Sequence, residues 1–205
     1  MIYTLNDKQY EGATSLDLMR IEYLHFDVDF SRYDAIVITS RNALKALLNK
    51  YKIPSHIKIY AIGKNSAKEK QRIDFVATSN NANDFAEELV VHLKNKKVLY
   101  PRAKIVSSDM AGILRLSNIQ IDELIVYENI KQVPKIKKLG ANSIIIFSAS
   151  SLVNYFFEYY EWGSSYTAIS IGKMTSKELN KYIPNFIESK KTDINYCIKM
   201  GISLK

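Results

Sequence analysis

The sequence predicts an α/β fold of two similar domains, each a mainly parallel sheet flanked by helices, with a two-stranded connector between them. Two observations predict this fold class. Short continuous runs of β-branched residues alternate with stretches of helical spacing, and one strand–turn–helix pattern occurs twice. The composition, 47% hydrophobic and 24% charged, is typical of a globular protein.

The predicted strands are apolar runs without a polar face. Continuous rather than alternating runs suit parallel strands that are buried on both faces. Helical spacing follows several of them, as in Ala43, Leu44, Leu47 and Leu48. The runs lie at residues 35–38, 57–62, 98–100, 124–127, 144–147 and 168–171.

The repeat consists of two motifs in the same order. Residues 34–40 (DAIVITS) correspond to 142–148 (NSIIIFS), and residues 59–69 (IYAIGKNSAKE) correspond to 168–178 (AISIGKMTSKE). The serine that ends the first motif precedes the glycine of the second by 23 residues in one copy and 24 in the other. We therefore expect two related halves of about 100 residues each.

Four turns of the repeat predict anion binding. A strand that runs through Ser or Gly into a helix exposes unpaired amide groups at the positive end of the helix dipole. In parallel sheets these turns share the edge where ligands bind. The same residues are also ordinary helix caps, an alternative that the sequence leaves open. The turns are Ser40, residues 63–66, Ser148 and residues 172–175, with Ser66 and Thr175 as predicted N-caps and Arg102 as a further candidate ligand for carboxylate.

Charge and composition narrow the partner class. A net charge of +8 attracts nucleic acid, membrane headgroups or a polyanionic small molecule, but no nucleic-acid recognition motif is present. No apolar run approaches the 18 or so residues of a membrane span. The histidines lack metal-ligand spacing, and glycine-rich nucleotide loops are absent. A single cysteine and no recognisable secretory signal predict a cytoplasmic protein.

Six short motifs, taken in order, resemble the uroporphyrinogen-III synthase family. The resemblance covers roughly residues 34–180. The sequence departs from the family pattern at Ser66 and Asn129, where threonine is usual, and in a short N-terminal segment that leaves the fold of residues 7–25 open. The motifs are ITS at 38–40, IGKNSA at 62–67, VLYPR at 98–102, VYEN at 126–129, FSAS at 147–150 and IGKMTS at 171–176.

The resemblance implies a monomeric lyase of haem biosynthesis that uses no cofactor or metal. Its substrate is hydroxymethylbilane, a polycarboxylate that is closed with loss of water and inversion of ring D. The implied domains are residues 1–26 plus 131–205 and residues 27–130, with the substrate in the cleft between them. Tyr127 is the implied catalytic residue. The implied substrate-binding residues are Thr39, Ser40, Gly63, Ser66, Arg102, Ser148, Ala149, Ser150, Gly172 and Thr175.

Two other functions remain open from the residues alone. Two α/β lobes with a two-stranded hinge also describe a binding protein for an anionic small molecule without catalysis. The net positive charge would suit a nucleic-acid binder. We expect neither nucleic acid nor a membrane as a partner.

Overall fold

The computed structural model describes residues 1–62, 72–77, 82–106 and 108–205. Their contacts divide the chain into two compact units. Unit 1 comprises Met1–Arg20 and Ile130–Lys205, and unit 2 comprises Ile21–Asn129. The chain therefore passes between the units twice, whereas the sequence prediction places these crossings near residues 26 and 130.

From residue 35 onwards, most strands are followed by a helix, as the sequence predicts. The strands are β1 (Ile2–Asn6), β2 (Thr14–Tyr23), β3 (Ala35–Ile38), β4 (Lys58–Ala61), β5 (Phe75–Val76), β6 (Lys97–Ala103), β7 (Gln120–Lys131), β8 (Ile144–Phe147), β9 (Thr167–Ser170) and β10 (Ile187–Glu188). The helices are α1 (Arg41–Lys50), α2 (Ala82–Leu93), α3 (Met110–Leu116), α4 (Ser150–Tyr159), α5 (Lys173–Leu179) and α6 (Ile194–Ser203).

Unit 1 is built on a parallel sheet in the order β10-β9-β8-β1-β2. One face carries a cluster that includes Phe147 and Phe156, where α4 and α5 pack. The other face carries a smaller cluster around Cys197 and Ile198 of α6. Helices therefore cover both faces, which explains why β8 is apolar at every position.

Unit 2 repeats this arrangement with the order β7-β6-β3-β4-β5, and its described strand pairs are parallel. Helix α1 packs on one face through Leu44 and Leu47. Helices α2 and α3 pack on the other through residues such as Phe85 and Leu114. The predicted fold class is confirmed.

The internal repeat is visible in the strand register. In unit 2, β3 pairs with β4 so that Ala35 faces Lys58, and in unit 1, β8 pairs with β9 so that Ile144 faces Thr167. Both pairs are parallel and join residues 23 positions apart. In each unit, the residues that follow the two strands therefore emerge at the same edge of the sheet.

The connecting segments are the pair β2 and β7. In unit 2, Leu24 N donates to Val126 O at 3.0 Å, and in unit 1, Gln132 N donates to Leu18 O at 2.9 Å. From the first hydrogen bond to the second, the residue number falls from 24 to 18 on one segment and rises from 126 to 132 on the other. The two segments therefore run antiparallel. From the sequence, residues 24–33 and 124–133 both look extended and partly alternating, which predicts that they could pair as the connector. Strand β7 covers most of the second range, but the first range contains no strand, so that part of the prediction is wrong.

The error has a physical cause in the alternation of Phe26, Val28 and Phe30. This period of two is typical of a strand, but Phe26 and Phe30 instead pack their rings against Tyr51, with centroids 6.1 and 5.6 Å away. A short 3-10 helix forms at Phe30–Arg32, capped by Asp29. In the N-terminal segment, residues 7–25 contain β2 and no helix.

Tyr160 makes the stability of unit 1 decrease at alkaline pH. Its hydroxyl donates to Ile136 O at 2.6 Å, and burial, followed by the charge of Tyr3, raises its pKa to about 12. The folded pKa exceeds the unfolded value of about 10, so this contribution is complete below pH 10 and disappears as the pH rises towards 12. The corresponding loss is roughly 2 to 3 kcal/mol.

The measurement is urea unfolding between pH 9 and 12, followed by the fluorescence of Trp162, the single tryptophan of the chain, which lies in unit 1. Tyr160→Phe should flatten the fall in unfolding free energy between pH 10 and 12. Equal slopes for the variant and the parent would show that Tyr160 makes no such contribution.

Candidate functional site

The end of β3 supplies two hydroxyls in unit 2. Thr39 and Ser40 follow the strand, and Ser40 has the extended backbone of a helix N-cap. Its Oγ accepts a hydrogen bond from Asn42 N at 3.2 Å, and its carbonyl accepts the first helical bond of α1 from Leu44. Serine is among the preferred residues for this position, so α1 begins where the sequence predicts.

Tyr127 of β7 reaches the same helix start. Its hydroxyl lies 2.9 Å from Ser40 Oγ, and its residue is 7% exposed. Burial raises the pKa of Tyr127, and the hydrogen bond with Ser40 partly opposes that effect. The phenol is therefore protonated at neutral pH and can donate a hydrogen bond. The structure thus brings Tyr127, predicted as catalytic, together with Ser40, predicted to bind substrate.

Tyr100 of β6 makes a second pair of this kind, which the sequence analysis did not identify. Its hydroxyl lies 3.1 Å from Thr39 Oγ1. Tyr100 belongs to the cluster under α2 and α3, and Tyr127 to the cluster under α1, so the two phenols occupy opposite faces of the sheet. Two consecutive hydroxyls at the end of β3 are each held by a buried tyrosine.

Arg102 is engaged within unit 2. It forms an ion pair with Glu123, and its Nη1 donates to the carbonyls of Ala103 at 2.8 Å and Lys104 at 3.1 Å. Glu123 is also bound by Arg115 Nη2 at 2.9 Å. The guanidinium of Arg102 therefore binds a carboxylate of its own chain. Its predicted role towards a substrate carboxylate stays a prediction.

The second predicted turn of unit 2 lies outside the described residues. Gly63 and Ser66 fall in the range 63–71, about which the structure says nothing. Strand β4 ends at Ala61 beside Ile38 of β3, and Ile62 N donates to Ile38 O at 2.9 Å. The chain therefore enters this turn at the same edge as Thr39 and Ser40.

The first turn of unit 1 brings together Ser148, Ala149 and Ser150. Ala149 is the N-cap of α4, and its carbonyl accepts hydrogen bonds from Leu152 and Val153. An alanine side chain has no group that could cap the first-turn amides, in contrast to Ser40 of unit 2. The α4 start is thus the more open of the two to an external acceptor.

The second turn of unit 1 begins α5 at Lys173, with Gly172 as its N-cap. The prediction that Thr175 is the cap is wrong: Thr175 lies inside the helix and is buried. A Cβ on Gly172 would lie 3.3 Å from Thr192, so glycine makes room for that neighbour. Ser150 Oγ donates to Met174 O at 3.1 Å and so joins the two turns.

A polar network that the sequence analysis missed holds the Gly172 turn. Gly172 N donates to Ser170 Oγ at 3.3 Å. Ser176 Oγ lies 2.9 Å from Ser170 Oγ and 2.5 Å from Glu188 Oε2. Because a carboxylate only accepts, Ser176 donates to Glu188. Ser170 Oγ donates to Gly172 O at 3.1 Å. The turn is positioned by residues from β9, α5 and β10.

Two further observations concern cofactors and membranes. Within the described ranges, no group of three or more His, Cys, Asp or Glu side chains could hold a metal ion. None of the helices in the described part of the chain has the length and apolar character that a bilayer crossing requires.

Comparison with known proteins places these features in a family. Residues 13–199 match the family described as uroporphyrinogen-III synthase HemD. The chain is 26% identical over 200 residues to the porphyrin biosynthesis protein HemD of Ruminiclostridium josui, an alignment that covers 85% of this chain and 38% of that protein. The chain therefore spans well under half the length of this curated relative.

Solved structures agree with this assignment. Uroporphyrinogen-III synthetase from Helicobacter pylori superposes with a TM-score of 0.80 and 29% identity, covering 100% of this chain and 99% of that one. A mutant uroporphyrinogen III synthase from Thermus thermophilus has a TM-score of 0.60 at 11% identity, covering 100% and 99%, and so shares the fold. Because the family match extends over most of its length, the chain belongs to the uroporphyrinogen-III synthase HemD family.

Proposed function

We propose that the chain is a uroporphyrinogen-III synthase, a lyase that closes hydroxymethylbilane into uroporphyrinogen III with loss of water and inversion of ring D. The observation that carries the proposal is the hydrogen bond between Tyr127 and Ser40 at the start of α1. In a chain of this family, it puts a buried, protonated phenol beside a helix start that can bind an anion.

Tyr127 supplies the proton for the first step. The hydroxyl of the hydroxymethyl group on ring A leaves as water, so its oxygen must gain a proton as the carbon–oxygen bond breaks. The bonding electrons leave with the oxygen, and the pyrrole nitrogen of ring A loses its proton to water to give a neutral azafulvene. The Tyr127 phenolate regains a proton from water, which balances the step. A phenol in hydrogen-bond reach of that oxygen can act as the general acid.

Ser40 makes Tyr127 a better donor. Asn42 N–H donates to Ser40 Oγ, and within the Ser40–Tyr127 pair either hydroxyl can donate to the other. When the phenol donates to the substrate, Ser40 donates to the phenol oxygen. In this arrangement the phenol proton points to the substrate. Each bond in such a chain polarises the next, so the amide at the helix start favours proton transfer from Tyr127.

The remaining chemistry depends on orientation. Ring D attacks the azafulvene through its substituted carbon and forms a spiro intermediate, which fragments and recombines with ring D inverted. Direct closure without inversion proceeds without a catalyst, so the protein must hold the chain ends in the orientation for inversion. A substrate carboxylate would bind at the hydroxyl of Thr39 in unit 2.

The reaction is redox-neutral, so the proposed mechanism uses no redox cofactor and none of its steps calls for a metal. We further propose that the protein acts as a monomer in the cytoplasm, with a small polycarboxylate rather than nucleic acid or membrane as its partner. The single cysteine, Cys197, is buried and free, which suits a reducing compartment.

The test supplies purified protein with hydroxymethylbilane and separates the uroporphyrin isomers after oxidation of the product. We expect isomer III to predominate and its rate of formation to scale with protein concentration. Formation of isomer I alone, at the rate seen without protein, would contradict the proposal. If the protein then still retained uroporphyrin III in equilibrium dialysis, a binding protein without catalysis would be favoured.

A further inference from the structure

Tyr100 has a hydroxyl that the proposed mechanism does not use. The residue is 2% exposed, and its ring packs beneath α2 and α3. Burial raises the pKa of Tyr100, so the phenol keeps its proton at neutral pH. Among the described residues, the partner that the structure assigns to this hydroxyl is Thr39 Oγ1 at 3.1 Å.

We assign the direction of this hydrogen bond from the acceptors that each hydroxyl proton can reach. A buried hydroxyl that donates no hydrogen bond is less stable than one that does, because its proton cannot bind to water instead. If Tyr100 donates to Thr39 Oγ1, both groups are satisfied, and the Thr39 proton is free to be donated elsewhere. Thr39 is half-buried at the strand end, where a ligand can reach it.

The hydrogen bonds of Tyr127 with Ser40 and of Tyr100 with Thr39 then have opposite directions. In one pair, when substrate is bound, Ser40 donates to Tyr127 and the phenol donates to the substrate. In the other pair, Tyr100 donates to Thr39, and the threonine hydroxyl faces the substrate. The end of β3 thus presents two donors, one beside each face of the sheet. A carboxylate has only acceptor atoms and suits the Thr39 donor.

We infer that Tyr100 is a positioning residue that fixes the Thr39 hydroxyl as a donor to a carboxylate of the substrate. The inference rests on the proposed function for the identity of the ligand. It assigns the carboxylate specificity of this strand end to a residue that does not itself touch the substrate.

The test compares Tyr100→Phe with the parent in two assays. One assay measures KM and kcat with hydroxymethylbilane, and the other measures the Kd for uroporphyrin III, a stable polycarboxylate of the product skeleton. We expect KM and Kd each to rise about fivefold, because the donor is no longer oriented, with kcat changing less than about twofold. Thr39→Val should raise both constants at least as much, and Thr39→Ser should retain most of the affinity.

Tyr33→Phe is the matched control. Tyr33 is also a largely buried tyrosine of unit 2, and its hydroxyl donates to Asp122 Oδ2 at 3.0 Å, away from Thr39 and Ser40. Its KM and Kd should stay at the parent values. The double variant Tyr100→Phe/Thr39→Val should bind no more weakly than Thr39→Val alone, because Tyr100 acts through Thr39.

Equal constants for Tyr100→Phe and Tyr33→Phe, or additive effects in the double variant, would overturn the inference. These outcomes are separate from failure of the proposed function. A parent that makes isomer III while Tyr100→Phe matches it refutes the inference alone. A parent that makes no isomer III refutes the function, and the Kd measurements still decide whether Tyr100 orients Thr39 towards a polycarboxylate.

Discussion

Replacing Tyr127 with phenylalanine is expected to lower kcat about 10- to 100-fold, with uroporphyrinogen III still the main product. The variant removes the proton donor for the departing hydroxyl, and the loss stays at or below the lower end of the usual range for general acid catalysis, about 100-fold, because water can substitute in part. Binding geometry is retained, so KM should change little. The measurement is kcat and isomer ratio at saturating hydroxymethylbilane.

Ser40 provides the control for this variant. Ser40→Ala removes the hydrogen-bond partner of Tyr127 and also the cap of α1, and loss of the cap costs about 1 kcal/mol of stability. Its effect on kcat should be smaller than that of Tyr127→Phe, and the double variant should be no slower than Tyr127→Phe alone. Complete loss of activity in a folded Tyr127→Phe protein would contradict the view that orientation dominates, and an unchanged kcat would remove Tyr127 from the chemistry.

Replacing Phe147 with alanine is expected to destabilise unit 1 by about 3 to 5 kcal/mol. Phe147 is fully buried at the end of β8, and its ring packs edge-on against Phe156 at 5.3 Å. Phe157 and Trp162 lie at 6.3 and 6.5 Å. The alanine leaves a cavity that this aromatic cluster cannot close without moving several rings.

Trp162 reports this loss directly, since it belongs to the same cluster. Urea unfolding followed by its fluorescence should give a lower midpoint for Phe147→Ala, with a smaller decrease for Phe147→Leu, which keeps most of the volume. A decrease below about 1 kcal/mol for Phe147→Ala would show that the cluster tolerates the cavity and that the core assignment of this ring is wrong.

The strands were predictable where their apolar runs were continuous. Residues 35–38 and 144–147 coincide with β3 and β8, because strands buried on both faces admit no polar position. Residues 24–33 do not form a strand, because alternation also arises when a coil packs every second side chain into one cluster. Here Phe26, Val28 and Phe30 pack into the cluster that includes Tyr51. A local pattern does not specify which neighbour covers it.

The residues of the candidate site that lie at strand ends could be predicted from the sequence. The sequence predicted Ser40 as a cap, and the resemblance implied Tyr127 as the catalytic residue, but their hydrogen bond joins positions 87 apart along the chain. Tyr100 was hidden because a tyrosine in an apolar strand indicates core packing. Glu188 was hidden because its link to Ser176 depends on the pairing of β9 with β10. Such contacts follow from strand order, which no single segment encodes.

The most direct test of the account is a single-turnover experiment with protein in excess over hydroxymethylbilane, quenched by oxidation at times that precede uncatalysed closure. The account predicts that nearly all of the cyclised product in this time window is isomer III, and that Tyr127→Phe forms the same isomer more slowly. A product dominated by isomer I at these times, with the protein folded and in excess, would contradict the claim that this chain inverts ring D.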